Sequence, residues 1–215
     1  MSNTDHTIIA LFDFDGTLTY KSTSLAFFQF LDRKRFYAVM PLLFPVLILY
    51  VCRLISVDTL NKCICQLVLK GKSKEEVTQA GKEFALKKMP HLIRPEGMQK
   101  LQEHQKMGHY CILATAGFDI YVKPWSELHH FNSIVCTELE CNQNNKLTGK
   151  LNGITCYGVE KLSKIKTVIP PNRGDVFAYG DSAGDKEMLQ FADFSFYQSF
   201  NSNLKIPPED YKNSN

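Results

Sequence analysis

Two carboxylates, Asp13 and Asp15, close a short apolar run from Ile8 to Phe12 and are followed at once by Gly16 and Thr17. The run is too short for a helix of ordinary length and reads as a buried strand. In an open parallel α/β sheet, ligands gather beyond the carboxyl ends of the strands, so chemistry is expected where these acids sit. Gly16 permits a sharp turn and close backbone approach, and the Thr17 hydroxyl can fix the loop. Two acids at one site repel each other, which calls for a cation beside them. Mg2+ is the natural candidate, a hard ion commonly held by one or two carboxylates plus a substrate phosphate. DFDG alone is also what a strand-to-turn junction with solubilising acids looks like, so the remainder of the chain decides.

The pattern recurs. Tyr110 to Ala114 reads as a short apolar strand that runs out into Thr115-Ala116-Gly117, and Asp175 to Tyr179 as another that runs into Gly180-Asp181-Ser182-Ala183-Gly184-Asp185. Between them, Gly158-Val-Glu-Lys161 opens a helix carrying a lysine. Taken singly, Thr115 reads as a core-lining hydroxyl and Lys161 as a solvated helix lysine, and only their places in the series raise them. Further strands are expected over Ile134 to Thr137 and Phe194 to Tyr197, helices over Glu96 to Lys106 and Tyr121 to Leu128, and a polar hairpin over Glu140 to Gly153.

The 215 residues suffice for one domain with a large insertion or for two small ones. With 44% apolar and 22% charged residues the composition is that of a globular protein. A net charge of +3 is too mild to imply nucleic acid, and no nucleic-acid signature accompanies it, so no such partner is expected. The seven cysteines, Cys52, Cys63, Cys65, Cys111, Cys136, Cys141 and Cys156, are scattered, odd in number and mostly flanked by apolar residues, the pattern of reduced thiols in a cytosolic compartment. Cys63 and Cys65 are half of a metal site at most, since no second pair follows at a zinc-like spacing. The start, MSNTDHT, lacks the basic and apolar regions of a signal peptide, and the cytoplasmic side is expected.

Residues 22–95 form a long insertion before the strands resume. It reads as helical over Ser24 to Arg35, Val57 to Lys70 and Ser73 to Met89, the last opening with the capping-box pattern Ser-Lys-Glu-Glu. It is expected to cover the carboxylate site as a cap, with the core built from 1–21 and 96–200 and a loosely ordered polar tail over 201–215. Its odd part is 36–52, which holds no charged residue and is flanked by Arg33, Lys34 and Arg35 before and Arg53 after. As one helix it would be about 25 Å long, short of the ~30 Å hydrocarbon core, and Pro41 and Pro45 are expected to interrupt it. Both ends of the insertion must return to the same core, which excludes a single crossing that leaves them on opposite sides of a bilayer. The expectation is therefore a re-entrant or interfacial hairpin on an anionic membrane surface, or a helical pair buried within the cap. The basic flanks favour the membrane, each cation there contributing on the order of 1 kcal/mol.

DFDGT at 13–17, Thr115 behind the apolar 111–114, Lys161 and GDSAGD at 180–185 together resemble the four motifs of the haloacid dehalogenase superfamily of phosphotransferases, and the resemblance spans Ile8 to Tyr197. It implies an α/β fold, a Rossmann-like parallel sheet with helices on both faces, carrying an inserted α-helical cap. It implies Asp13 as the nucleophile that forms an aspartyl phosphate, and Asp15 as acid for the leaving oxygen and then base for the attacking water. Mg2+ would be held by the Asp13 carboxylate, the Asp15 backbone carbonyl and Asp181, with Asp185 acting through water or on Lys161. Gly16, Thr115, the Ala116 amide and Lys161 would bind the phosphoryl oxygens. The physics agrees, because a phosphate monoester is a dianion whose cleavage needs an in-line nucleophile, neutralised equatorial oxygens and a protonated leaving group.

Within the superfamily, the insertion directly after the first motif and the stretch Cys156 to Lys161 are similar to the branch containing phosphoserine phosphatase. That enzyme places an acid shortly after the first motif to hold the substrate amine, where this chain has Tyr20, Lys21, Ser22 and Thr23. An apolar cap is also a poor host for a zwitterion. The segment 36–52 resembles in position and character that of the bacterial phosphatidylglycerophosphatases of the C type, which implies a lipid phosphomonoester as substrate. The alternatives are a soluble small-molecule phosphatase with a greasy cap core, and a membrane-associated binding module without turnover, against which the intact acids and lysine argue.

Overall fold

The computed structural model describes residues 6–201. Its centre is β1 (Thr7–Phe12), whose last four residues are buried, flanked on one side by β2 (Tyr110–Phe118) and on the other by β6 (Arg173–Gly180). With β3 (Ser133–Thr137) and β7 (Phe194–Tyr197) at the edges, the strand order is β3-β2-β1-β6-β7, all parallel. Alternation along the inner strands builds a separate core on each face. Ala10, Phe12, Cys111 and Leu113 point to one side, and Ile9, Leu11, Ile112 and Ala114 to the other. The first side is covered by α5 (Pro95–Lys106) and α6 (Asp119–Leu128) through Leu101, Tyr121, Val122 and Trp125. The second is covered by α7 (Val159–Val168) and α8 (Lys186–Phe191) through Ile165, Met188 and Leu189. This is the α/β parallel sheet with helices on both faces that the sequence predicts.

The insertion is helical as expected, with different breaks. α1 (Ser24–Leu31) ends before Arg35, because the Asp32 carboxylate accepts from the Arg35 amide at 3.0 Å and starts a new helix, α2 (Arg33–Val51). α3 (Val57–Ile64) passes into a wider, π-type turn over Cys65–Leu69, and α4 (Lys74–Lys87) is capped by Ser73. The expectation for 36–52 is overturned: the segment is neither a hairpin nor a buried helical pair but part of one continuous helix. Pro41 and Pro45 lie four residues apart on its exposed side, where the carbonyls they leave without intrahelical donors can bond water. Phe36 and Leu43 are its buried residues, whereas Leu42, Phe44, Ile48 and Val51 are 60%, 61%, 46% and 74% exposed. By length and composition Arg33–Val51 could cross a membrane.

The two connections between core and insertion run side by side. Thr19 pairs with Ile93, the Tyr20 amide donates to Leu92, and the Arg94 amide donates to Leu18. The expected hairpin is present as β4 (Leu139–Cys141) and β5 (Leu147–Leu151), and it lies against the insertion rather than in solvent. Leu147 bonds Gly71 and Lys72 through its backbone, and Leu147 and Leu151 join the core that holds Leu69 and Val68. The tail predicted over 201–215 falls, beyond Asn201, outside the described residues.

Candidate active site

Asp13 extends β1 by one residue, its amide donating to Tyr179 of β6 at 2.9 Å. The chain then turns through Phe14–Leu18, with Gly16 at φ +89°. Two relations show why that position is glycine. The conformation lies in the left-handed region, and a β-carbon there would fall 2.1 Å from Asp181 Oδ2. Thr17 fixes the turn as expected, its hydroxyl donating to Asp181 Oδ1 at 3.1 Å. Because β1 lies between β2 and β6, the acid pair, the last residues of β2 and the loop after Gly180 meet at one edge of the sheet. β2 does not end at Ala114 as expected but runs on through Thr115, Ala116 and Gly117 to Phe118, with its register on β3 shifted there.

Lys161 reaches this edge from the first turn of α7. Its ammonium donates to Asp13 Oδ1 at 2.8 Å and to Asp185 Oδ1 at 2.5 Å, and all three side chains are nearly sealed from solvent. The other Asp185 oxygen accepts from the Asp181 and Ser182 amides and the Ser182 hydroxyl at 2.9–3.2 Å. Asp185 therefore braces Lys161 and its own loop. Thr115 is buried and accepts from the Gly117 amide at 3.0 Å, while Ala116 is held by the Thr137 hydroxyl at 2.8 Å on its carbonyl.

The charges do not balance among these groups. Asp13, Asp15, Asp181 and Asp185 face one ammonium, with Arg94 near enough to Asp181 to ease it slightly. Burial, and after it repulsion from Asp185, holds the Asp13 carboxyl well above the usual range even against Lys161. Burial pushes Asp15 up to about 6, with Thr23 pulling the other way. Burial and Asp185 together raise Asp181 to about 6. Burial also works against the Lys161 charge, but Asp13 and Asp185 outweigh it and keep the ammonium protonated. Ligand oxygens of Asp13, Asp181 and Asp185 come within 4.8 Å of one another. A hard divalent cation fits this oxygen-only, under-compensated set. The Asp15 carboxylate stands outside the cluster, so only its backbone carbonyl is left for the metal role the resemblance implies.

A cavity of about 370 Å³ opens over the acids. Asp13, Asp15, Thr115, Ala116 and Lys161 line one end, so the predicted catalytic and phosphate-binding residues do converge. Gly16 serves from behind, through its contact with Asp181. The rest of the wall is apolar, from Leu25, Leu47, Val51, Val57, Leu60 and Ile64, or neutral and polar, from Ser22, Ser24, Tyr50, Asn61 and Tyr157. Asp13, Asp15 and Lys161 are the charged residues among those lining it.

Several residues of the site escape sequence reasoning. Thr23 donates to Asp15 Oδ1 from both its amide, at 2.8 Å, and its hydroxyl, at 2.7 Å. Asn61 and Asp58 of α3 bond Thr155 and so tie the cap to the loop that leads into α7. Thr137 bonds both Ala116 and the Cys156 amide. The one available signal was the run Ser22-Thr23-Ser24 ahead of an apolar helix, which reads as capping chemistry.

An acid pair at the end of the central strand, a buried lysine and a second acidic loop beneath a helical cap define a hydrolase with a Rossmann-like core. The chain belongs to the haloacid dehalogenase-like hydrolase family, whose family model matches residues 10–190. It is 30% identical over 193 residues to Protein CicA of Caulobacter vibrioides (strain NA1000 / CB15N), covering 90% of this chain and 86% of that protein. Its fold is shared with a protein of unknown function from Bordetella pertussis Tohama I, at 18% identity, with a TM-score of 0.75 and coverage of 88% of this chain and 89% of that one. It is shared also with a phosphoserine phosphohydrolase-like protein from Francisella tularensis subsp. tularensis SCHU S4, at 21% identity, with a TM-score of 0.63 and coverage of 88% and 85%.

Proposed function

We propose that this chain is a Mg2+-dependent phosphomonoester hydrolase whose substrate is a lipid phosphate, such as phosphatidylglycerophosphate, met at an anionic membrane surface. The observation that carries the reading is the division of the cavity, with all its charged side chains at the phosphate end and an apolar or neutral wall beyond. A zwitterionic leaving group finds no charged partner in that wall, whereas an uncharged or acylated alcohol needs none.

Asp13 attacks phosphorus in line while the leaving oxygen takes the P–O electron pair and a proton from Asp15. Asp15, now a carboxylate, takes a proton from water as that water cleaves the aspartyl phosphate and restores Asp13. Lys161 and Thr115 hold the phosphoryl oxygens, and Gly16 keeps Asp181 close beneath the acid pair. Asp13, Asp181 and the Asp15 carbonyl would hold Mg2+, with Asp185 behind them. Bound there, the ion neutralises crowded carboxylates and phosphate oxygens.

The exposed side of α2 supports the membrane reading. It carries Leu42, Phe44, Ile48 and Leu49, starts at Arg33 and Lys34 and is followed by Arg53, a basic-flanked apolar face suited to anionic lipid. Its last turns, Leu47, Tyr50 and Val51, belong to the cavity wall as well. The free thiols suit a reducing compartment and hence the cytoplasmic side. A second reading, a soluble small-molecule phosphatase, is favoured by the fold shared with the phosphoserine phosphohydrolase-like protein.

Phosphate release by the purified protein with Mg2+ separates the two readings. Faster turnover of phosphatidylglycerophosphate in anionic vesicles than of phosphoserine, lost in Asp13→Ala, is expected. Preference for phosphoserine without regard to vesicles would overturn the lipid reading. Leu42→Ser, Phe44→Ser and Ile48→Ser combined should reduce vesicle binding and spare hydrolysis of a soluble aryl phosphate. The buried Leu43 is unsuited to that test.

A further inference from the structure

The contacts that hold Asp15 come from the cap, and they lead back to the last residues of β2, behind Thr115, through a buried tyrosine. Thr23, at the start of α1 and fully buried, gives both its amide and its hydroxyl proton to Asp15 Oδ1. A hydroxyl has one proton and two lone pairs, so the 2.7 Å contact with Asp15 leaves Thr23 Oγ1 free to accept. The hydroxyl of Tyr121, on α6, lies 3.3 Å from it and 2.9 Å from Ser24 Oγ. The Phe118 backbone, at the end of β2, lies beside the same tyrosine oxygen. A β-carbon at Gly117 of β2 would come within 2.9 Å of that oxygen, so this glycine is what lets the tyrosine approach. The Tyr121 ring is fixed in turn by Phe27 of α1 at 4.8 Å and Phe84 of α4 at 5.9 Å.

We propose that Thr23 and Tyr121 are positioning residues for Asp15, forming a buried hydroxyl relay that sets the acid's carboxyl against the leaving oxygen and registers the cap to the end of β2. The proposal rests on the phosphatase reading above. Neither residue is among those lining the cavity over the acids. Their effect passes through the orientation of one carboxyl group, and so falls on the proton transfer to the leaving group.

Leaving-group dependence exposes that effect. An alkoxide must be protonated as it departs, whereas 4-nitrophenolate departs with little help. In purified protein with Mg2+, Thr23→Val and Tyr121→Phe are expected to lower kcat for an alkyl phosphate by ~10-fold or more, with KM nearly unchanged and much less loss on 4-nitrophenyl phosphate. Thr23→Ser, which keeps the hydroxyl, should restore most of the alkyl rate. Should Tyr121→Phe fail to fold, Thr23→Val gives the same readout without touching the aromatic cluster. Equal losses on both substrates, an unchanged alkyl rate, or no recovery in Thr23→Ser would overturn the relay while leaving the phosphatase reading standing. Absence of hydrolysis of either ester by the wild-type protein would instead overturn the phosphatase reading, and the relay with it.

Discussion

A β-carbon on Gly16 would sit 2.1 Å from Oδ2 of Asp181, so the turn after the acid pair and the second acidic loop are in direct backbone-to-carboxylate contact. Gly16→Ala must move one of them and also hold an alanine at φ +89°. The backbone strain alone costs about 1–3 kcal/mol. Activity should fall further than stability, because the displaced group is Asp181. Denaturation midpoints and kcat measured on the same variant check this, and a fully active variant would contradict the contact.

Lys161 stands between two buried carboxylates. Lys161→Met strands both without a counter-charge, with an expected loss of about 3–5 kcal/mol at neutral pH. Burial already holds Asp13 above the usual range. The stranded Asp13 carboxyl should therefore take up a proton more readily in the folded than in the unfolded chain, and the loss should shrink as pH falls. Urea titrations at pH 8 and pH 5 give the comparison, and a pH-independent loss would speak against it.

Uncompensated acids also predict how a cation acts on stability. Mg2+ at a hundred times its Kd should add about 2.7 kcal/mol, several degrees of Tm for a chain of this size. Asp181→Asn should abolish most of that shift. A chelator should remove both the shift and the turnover. An equal Tm rise in Asp181→Asn would mean that the ion binds elsewhere.

His104 offers a second pH test, remote from the acids. It is 3% exposed, its Nε2 lies 2.8 Å from the Tyr179 hydroxyl, its Nδ1 lies 2.7 Å from Nδ1 of His109, and Lys100 and Glu103 are its charged neighbours. Burial, helped by His109 and Lys100, lowers its pKa to about 4 from an ordinary 6.5. The unfolded chain thus binds the extra proton first, and the stability His104 contributes is complete above pH 6.5 and lost towards pH 4. The difference between wild type and His104→Gln should change by on the order of 3 kcal/mol across that window. A constant difference would show that His104 titrates normally.

Those parts of the site whose chemistry sits at the end of an apolar run were legible without coordinates. Asp13 and Asp181 each follow the last residue of a strand and Thr115 follows the apolar run of β2, and those runs are visible because buried parallel strands are nearly all apolar. Lys161 was legible only by its place in the series. Thr23 and Tyr121 were not, since they are 98 residues apart and no spacing rule brings them together. The reading of α2 failed for a different reason. Two prolines argue locally for a break, but both fall on the exposed side, so the helix runs through. The sequence places Arg35 at the end of α1, whereas it belongs to α2, because Asp32 caps from within what reads as one helical stretch.

The β4–β5 hairpin leaves the core, pairs with the insertion through Gly71, Lys72 and Lys74, and buries Leu147 and Leu151 there. The cap is consequently not a detachable module. Excising residues 22–95 and joining the ends would uncover two leucines and strip partners from a hairpin that cannot stand alone, and grafting the same residues onto another core would leave the graft without one wall. An exchange of caps between related chains would have to carry 139–151 along with 22–95, as two segments moved together.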